Sequence, residues 1–201
     1  MRKFVRGEEP GLLKDKGAQW TGAWVARRQE KPAAKFQWPE HDGVKLNHHL
    51  LPALKLQTQN HCSFCDGFPV EDVSHETIEH FRSKTRHPEE AYAWTNLYYA
   101  CTACQGGKQD TDSDELLRPD DPAYEFPDYF YWDVESGILL VNPRSSAIHQ
   151  LRAKATCRLY GLNDHNRPIY RKEQRRWWLK LRGEDEDLHR WPYRDYISNE
   201  A

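Results

Sequence analysis

Residues 62–108 decide the reading. Cys62-Ser-Phe-Cys65 opens the stretch, Ile78-Glu79-His80 and Trp94-Thr95-Asn96-Leu97 lie inside it, and Cys101-Thr-Ala-Cys104-Gln-Gly-Gly-Lys108 closes it. Two Cys-x-x-Cys hooks offer four sulfurs, the donor set of a closed tetrahedral zinc site. Four protein ligands leave no position for water or substrate, so such a zinc is structural rather than catalytic. Iron in a rubredoxin-like site and a redox dithiol use the same residues and stay open here. A structural zinc contributes on the order of 10–16 kcal/mol of apparent binding energy, which is folding energy. That is enough to clamp a segment with little core of its own.

Between the hooks, Val73–His80 alternates β-favouring residues and predicts a strand that ends at Glu79-His80. His87-Pro88 starts a short helix, Leu97–Ala100 reads as a second strand, and Gln105–Lys108 enters a helix. A Glu-His pair alone carries no information. At a strand end between two hooks, with Asn96 ahead of the second, it has the parts for phosphodiester hydrolysis. That reaction needs a base to deprotonate water, which histidine supplies. It also needs a cation on carboxylate or amide oxygen to offset charge at phosphorus. In a regular strand Glu79 and His80 point to opposite faces, so convergence demands twist at the strand end.

Glu79-His80, Asn96-Leu97 and Cys101-x-x-Cys104-Gln-Gly-Gly-Lys108 together resemble the HNH (ββα-metal) nuclease motif with zinc hooks. More narrowly, Ile78-Glu-His-Phe-Arg-Ser-Lys84 followed by Trp94-Thr-Asn-Leu97 resembles the HNH nuclease subunits of Septu-type and retron-associated anti-phage defence systems. The resemblance implies that His80 is the general base and that Glu79 holds a catalytic Mg²⁺ or Mn²⁺. It implies that Asn96 pins the loop that orients His80. Gln105 falls where the family has His or Asn as second metal ligand, and Ser83 where the defence-type pattern often has Pro. The implied partners are DNA, a P-loop ATPase subunit and, in retron systems, a reverse transcriptase with its nucleic acid. Lys108 on the helix, and Arg82, Lys84 and Arg86 after the dyad, read as phosphate contacts.

The expected fold class is therefore α+β: a zinc-clamped ββα-metal nucleus with helical flanks and a β-hairpin. Residues 1–60 form a helical flank, with a short helix over Ala18–Arg28 and another over Val44–Gln57. Residues 61–110 are the nucleus. Residues 111–143 carry an acidic loop and a hairpin of Tyr129–Asp133 with Ile138–Val141. Residues 144–201 are basic helices, Ala147–Tyr160 and Pro168–Leu181, with an acidic tail around Glu184–Asp187. The net charge is −2, but its distribution is uneven. From Arg144 to Arg182 eleven Lys and Arg face only Asp164 and Glu173, whereas from Asp110 to Glu135 ten acids face Arg118 alone. Such asymmetry fits a basic face for phosphate, or two solvated surfaces of compensating charge. The absence of a long apolar run and the four hooked cysteines predict a cytoplasmic protein without a membrane span. Cys157, among Leu151, Ala155 and Leu159, reads as a buried helix-face thiol. Alternatives to a DNA endonuclease are a non-catalytic zinc-stabilised assembly module and an RNA or tRNA nuclease on the same scaffold.

Overall fold

The computed structural model describes residues 1–181 and 187–199. The chain first forms α1 (Gly11–Glu30), whose leading amides at Leu13 and Lys14 close on the Pro10 carbonyl. This helix outruns the expected 18–28 at both ends and runs through Gly17 and Gly22. Each glycine costs about 1 kcal/mol relative to alanine, and burial of Leu13 and Trp24 offsets that cost. Trp24 Nε1 donates to the Lys84 carbonyl at 2.8 Å, which docks α1 onto the loop beyond the central strand. A two-residue ribbon follows, β1 (Glu40–His41) with β2 (Val44–Lys45). Its turn, Asp42-Gly43, holds both residues at positive φ (52° and 77°), as a tight hairpin requires. The next helix, α2 (Leu46–Thr58), buries Leu46, Leu50 and Leu54, four residues apart, on one face.

The expected strand over Val73–His80 is shorter than read. Pro69 starts a helical turn, α3 (Val70–Val73), and the strand β3 begins only at Glu76 and ends at His80. It pairs antiparallel with β4 (Leu97–Cys101), with Glu79 opposite Tyr98 and His80 opposite Leu97. Cys101 then caps α4 (Thr102–Lys108), giving strand, loop, strand, helix around the hooks. All five residues of β4 are buried, so this pair is the centre of the core rather than a surface ribbon.

Beyond the acidic loop, α5 (Phe126–Tyr129) leads into the hairpin β5 (Phe130–Asp133) and β6 (Ile138–Val141), with Gly137 at φ 77° in its turn. The helix α6 (Ala147–Leu159) is capped by Ser146 and stops at Gly161. There Gly161 N–H bonds the Arg158 carbonyl and Leu162 N–H the Cys157 carbonyl, the paired bonds of a Schellman cap. The last long helix, α7 (Arg167–Leu181), is joined to the hairpin turn by Arg171, which is 1% exposed and donates to the Gly137 carbonyl at 3.0 Å. A final turn, α8 (Arg194–Ile197), returns to the first hook. There Arg194 forms a buried ion pair with Asp66 at 2.6 Å.

One hydrophobic cluster runs from Met1 to Leu162 and includes the four hook cysteines, Leu50, Tyr98, Tyr99 and Phe130. Phe64 of the first hook stacks on Tyr160 with centroids 3.8 Å apart, so α6 closes over the nucleus. The architecture is α+β with small two-stranded sheets among the described residues. Glu184–Glu186 of the expected acidic tail lie outside the described residues. No described helix is long and apolar enough to cross a membrane.

Candidate functional site

The hooks converge. The ligand atoms of Cys62, Cys65, Cys101 and Cys104 lie within 4.8 Å of one another, and all four residues are buried. Cys65 Sγ and Cys101 Sγ are 3.8 Å apart. Sulfurs about 2.3 Å from a tetrahedral zinc stand about 3.8 Å from each other. The cluster therefore has the spacing and donor chemistry for zinc. A zinc with four thiolates carries net negative charge, and two groups offset it here. Arg167 Nη2 approaches Cys104 Sγ at 3.4 Å, and the Cys101 amide points at Cys62 Sγ at 3.4 Å. Hydrogen bonds from the other three sulfurs, Cys101 first, hold the Cys65 thiol well below its ordinary range. His61 is not a fifth candidate, because its two ring nitrogens face the carbonyls of Gln59 and Trp191. Cys157 lies apart on α6, with burial pushing its thiol up to about 11.

Glu79 and His80 leave β3 toward different neighbours, as strand geometry dictates. Glu79 is 3% exposed and faces α4, where the Lys108 ammonium stands 2.9 Å from its Oε1. Lys108 is itself fully buried and donates to the His80 carbonyl at 2.9 Å. The contact with Glu79 is an ion pair off the axis of a hydrogen bond, and Oε1 has no hydrogen-bond donor. Burial pushes the Glu79 carboxyl up to about 7, against the opposing pull of Lys108. The sequence reading of Lys108 as a phosphate contact is thereby corrected: with no exposed surface, it meets a carboxylate inside the protein instead. Gln105 does lie beside this pair, but its amide donates to the Ile78 carbonyl at 3.0 Å.

As placed, these residues do not fit a catalytic divalent ion. Glu79 is the one carboxylate at the position, and an ammonium already stands against it. Among the described residues, the groups of His, Cys, Asp and Glu close enough to share a metal are the four cysteines and the half-exposed His87, Glu89 and Glu90. Neither includes Glu79.

His80 sits in an aromatic box. Its ring stacks on Trp38 at 5.3 Å and meets Phe36 edge-on at 5.2 Å, while Tyr92 packs against both. Nε2 donates to the Ala91 carbonyl at 3.0 Å. A carbonyl only accepts, so neutral His80 carries its lone pair on Nδ1. Burial drops its pKa to about 3, with Lys84 adding to the effect. Asn96, fully buried, fixes this arrangement. Its Oδ1 accepts from Arg82 N–H at 2.7 Å, and its Nδ2 donates to the carbonyls of Arg82 and Glu90 at 3.1 and 3.0 Å. One side chain thus ties the residues after His80 to the turn that presents Ala91.

The basic loop after the dyad is occupied from within. Arg82 pairs with Glu90 and Asp114 at 3.3 and 2.7 Å. Lys84 lies over the Phe36 ring at 5.7 Å. Ser83 and Thr85 hydroxyls bond Asp110, while Asp112 takes the Ser83 amide and His87. Arg86 alone of the expected phosphate contacts is exposed. The acidic loop is therefore the clasp of the basic one. Phe36, Trp38 and Tyr92 were not singled out by the sequence reading. The signal available for the first two was an aromatic pair, Phe36-Gln-Trp38, set between Pro32 and Pro39 in an otherwise polar stretch.

Compared with protein-family models and with curated protein sequences, the chain matches none.

Proposed function

We propose that the chain is an HNH-type (ββα-metal) endonuclease that hydrolyses DNA phosphodiesters, built on a structural zinc and closed at rest. The observation that carries this reading is the His80 setting. A neutral imidazole with Nε2–H on a backbone carbonyl, held there by a buried asparagine, is oriented as a general base that takes a proton at Nδ1. With water admitted, Nδ1 takes a proton from it as the oxygen attacks phosphorus, the P–O3′ bond breaks, and the leaving 3′ oxygen is protonated by solvent water. The ends are then 5′-phosphate and 3′-hydroxyl.

The closed state disfavours that step. His80 is 5% exposed and held at a pKa of about 3, far from the working pH that suits a base. Moving Trp38 and Phe36 aside restores both water and basicity. This fits an effector subunit of an anti-phage defence system that its partner opens. The motif resemblance supplies that partner, a P-loop ATPase. The second reading, a non-catalytic assembly module, is favoured by one observation, the ammonium of Lys108 on Glu79.

Cleavage of supercoiled plasmid in Mg²⁺, in Mn²⁺ and in chelator tests the reading with the parent, Trp38→Ala and Trp38→Ala/His80→Ala. Opening the box should speed nicking, and removing His80 from the opened protein should abolish it. If Trp38→Ala/Lys108→Met, which opens the histidine box and frees Glu79 together, folds and shows no cleavage that His80→Ala abolishes, the nuclease reading fails and the assembly module stands.

A further inference from the structure

We infer that the Lys108 ammonium holds Glu79 in the place of a divalent cation, so that a metal ion enters this site only after Lys108 has left it. The inference takes its purpose from the nuclease reading but its content from geometry alone. Lys108 Nζ lies 2.9 Å from Glu79 Oε1 and 2.9 Å from the His80 carbonyl, with Lys108 fully buried and Glu79 nearly so. A hard cation such as Mg²⁺ binds carboxylate oxygen at roughly 2.0–2.1 Å and wants about six oxygens around it. An ion at that distance from Glu79 would press against the ammonium, and like charges in a buried pocket repel strongly.

The remaining donors do not compensate. Gln105, anchored by its amide nitrogen on the Ile78 carbonyl, has only a neutral amide oxygen to offer, and Asp110, the further acid acting on Glu79, is bonded to the Ser83 and Thr85 hydroxyls. Lys84 also acts on Glu79 and adds positive charge. One carboxylate and one ammonium neutralise each other. Exchange of the ammonium for a divalent ion therefore needs Lys108 to swing away, with the loss of its bond to the His80 carbonyl. The metal position and the general base are thereby coupled through one side chain.

Mn²⁺ binding to the zinc-loaded full chain, followed by electron paramagnetic resonance of the free ion, tests this with the parent, Glu79→Gln, Lys108→Met and the double variant. The parent and Glu79→Gln should bind Mn²⁺ alike. Lys108→Met should bind one Mn²⁺ at least ten-fold more tightly, and the double variant should lose that gain. A parent site that Glu79→Gln removes would overturn the inference, as would a folded Lys108→Met with no gain. Should Lys108→Met lose its zinc or its fold, Lys108→Gln takes its place, with the same gain expected, its absence overturning the inference. Cleavage is read separately. A gained Mn²⁺ site without His80-dependent nicking keeps the latch and sinks the nuclease, and the reverse result does the opposite.

Discussion

His80 makes folding stability depend on pH in a way that one substitution isolates. Its ordinary pKa of 6.5 falls to about 3 in the folded protein because burial between Trp38, Phe36 and Ala91 disfavours the imidazolium. A base with a depressed folded pKa contributes stability that is present above its unfolded value. That stability is lost as pH falls from 6.5 toward 3, because the unfolded chain takes up the proton and the native chain does not. Between about pH 7.5 and about pH 5.5 the loss amounts to about 1.4 kcal/mol, one unit below the unfolded pKa. Glu79 works in the opposite direction. Its pKa is raised to about 7 by burial, so its contribution is present below the ordinary 4.5 and fades as pH climbs through 7. Comparing the parent with His80→Gln cancels Glu79, which both retain. Urea unfolding of the zinc-loaded proteins at the two pH values should show the parent losing about 1.4 kcal/mol more than the variant. Staying above about pH 5.5 limits proton competition for the thiolate ligands. Parallel pH profiles, or a His80 imidazole that titrates near 6.5 by nuclear magnetic resonance, would refute the argument that the box is closed.

Three further outcomes follow from the same geometry. Cys101→Ser should cost the cooperative melt and the bound zinc together, since ligand binding here is folding energy of about 10 kcal/mol or more. A melt near the parent temperature would remove the structural-zinc argument. Asn96→Ala strips partners from Arg82 N–H and from the Arg82 and Glu90 carbonyls. On the order of 3 kcal/mol should be lost, while zinc content measured by atomic absorption stays at the parent level. Arg194→Met leaves the Asp66 carboxylate buried without its guanidinium. Denaturant titration should show a loss of about 3–5 kcal/mol, because the pair ties α8 to the first hook.

The parts of the fold that the sequence made legible are those governed by local chemistry. The hooks, the hairpin with Gly137 at positive φ, the Gly161 cap and the leucine face of α2 are each written within a few residues. The role of Asn96 as a staple of the loop came from the family resemblance and not from any local pattern; in the fold its side chain bonds the backbone of Arg82 and Glu90. What stayed hidden depends on contacts between distant segments. The side chain of Lys108 looks like any helix-surface lysine until α4 is laid across β3, at which point its ammonium falls on Glu79. Trp38 is separated from His80 by more than forty residues, and no periodicity links them. The acidic loop stayed hidden in the same way, since a charge run does not show what it faces, and Asp110, Asp112 and Asp114 face the basic loop. Each hidden contact sets an opposite charge or an aromatic ring against a residue of the dyad or of the basic loop. The motif thus specifies which groups carry the proposed chemistry, and the flanks determine whether those groups are accessible. On the proposed function, a phosphodiester or a divalent ion would therefore displace an internal partner on binding at the dyad, and the free energy of that exchange, rather than the motif itself, would set when the site is open.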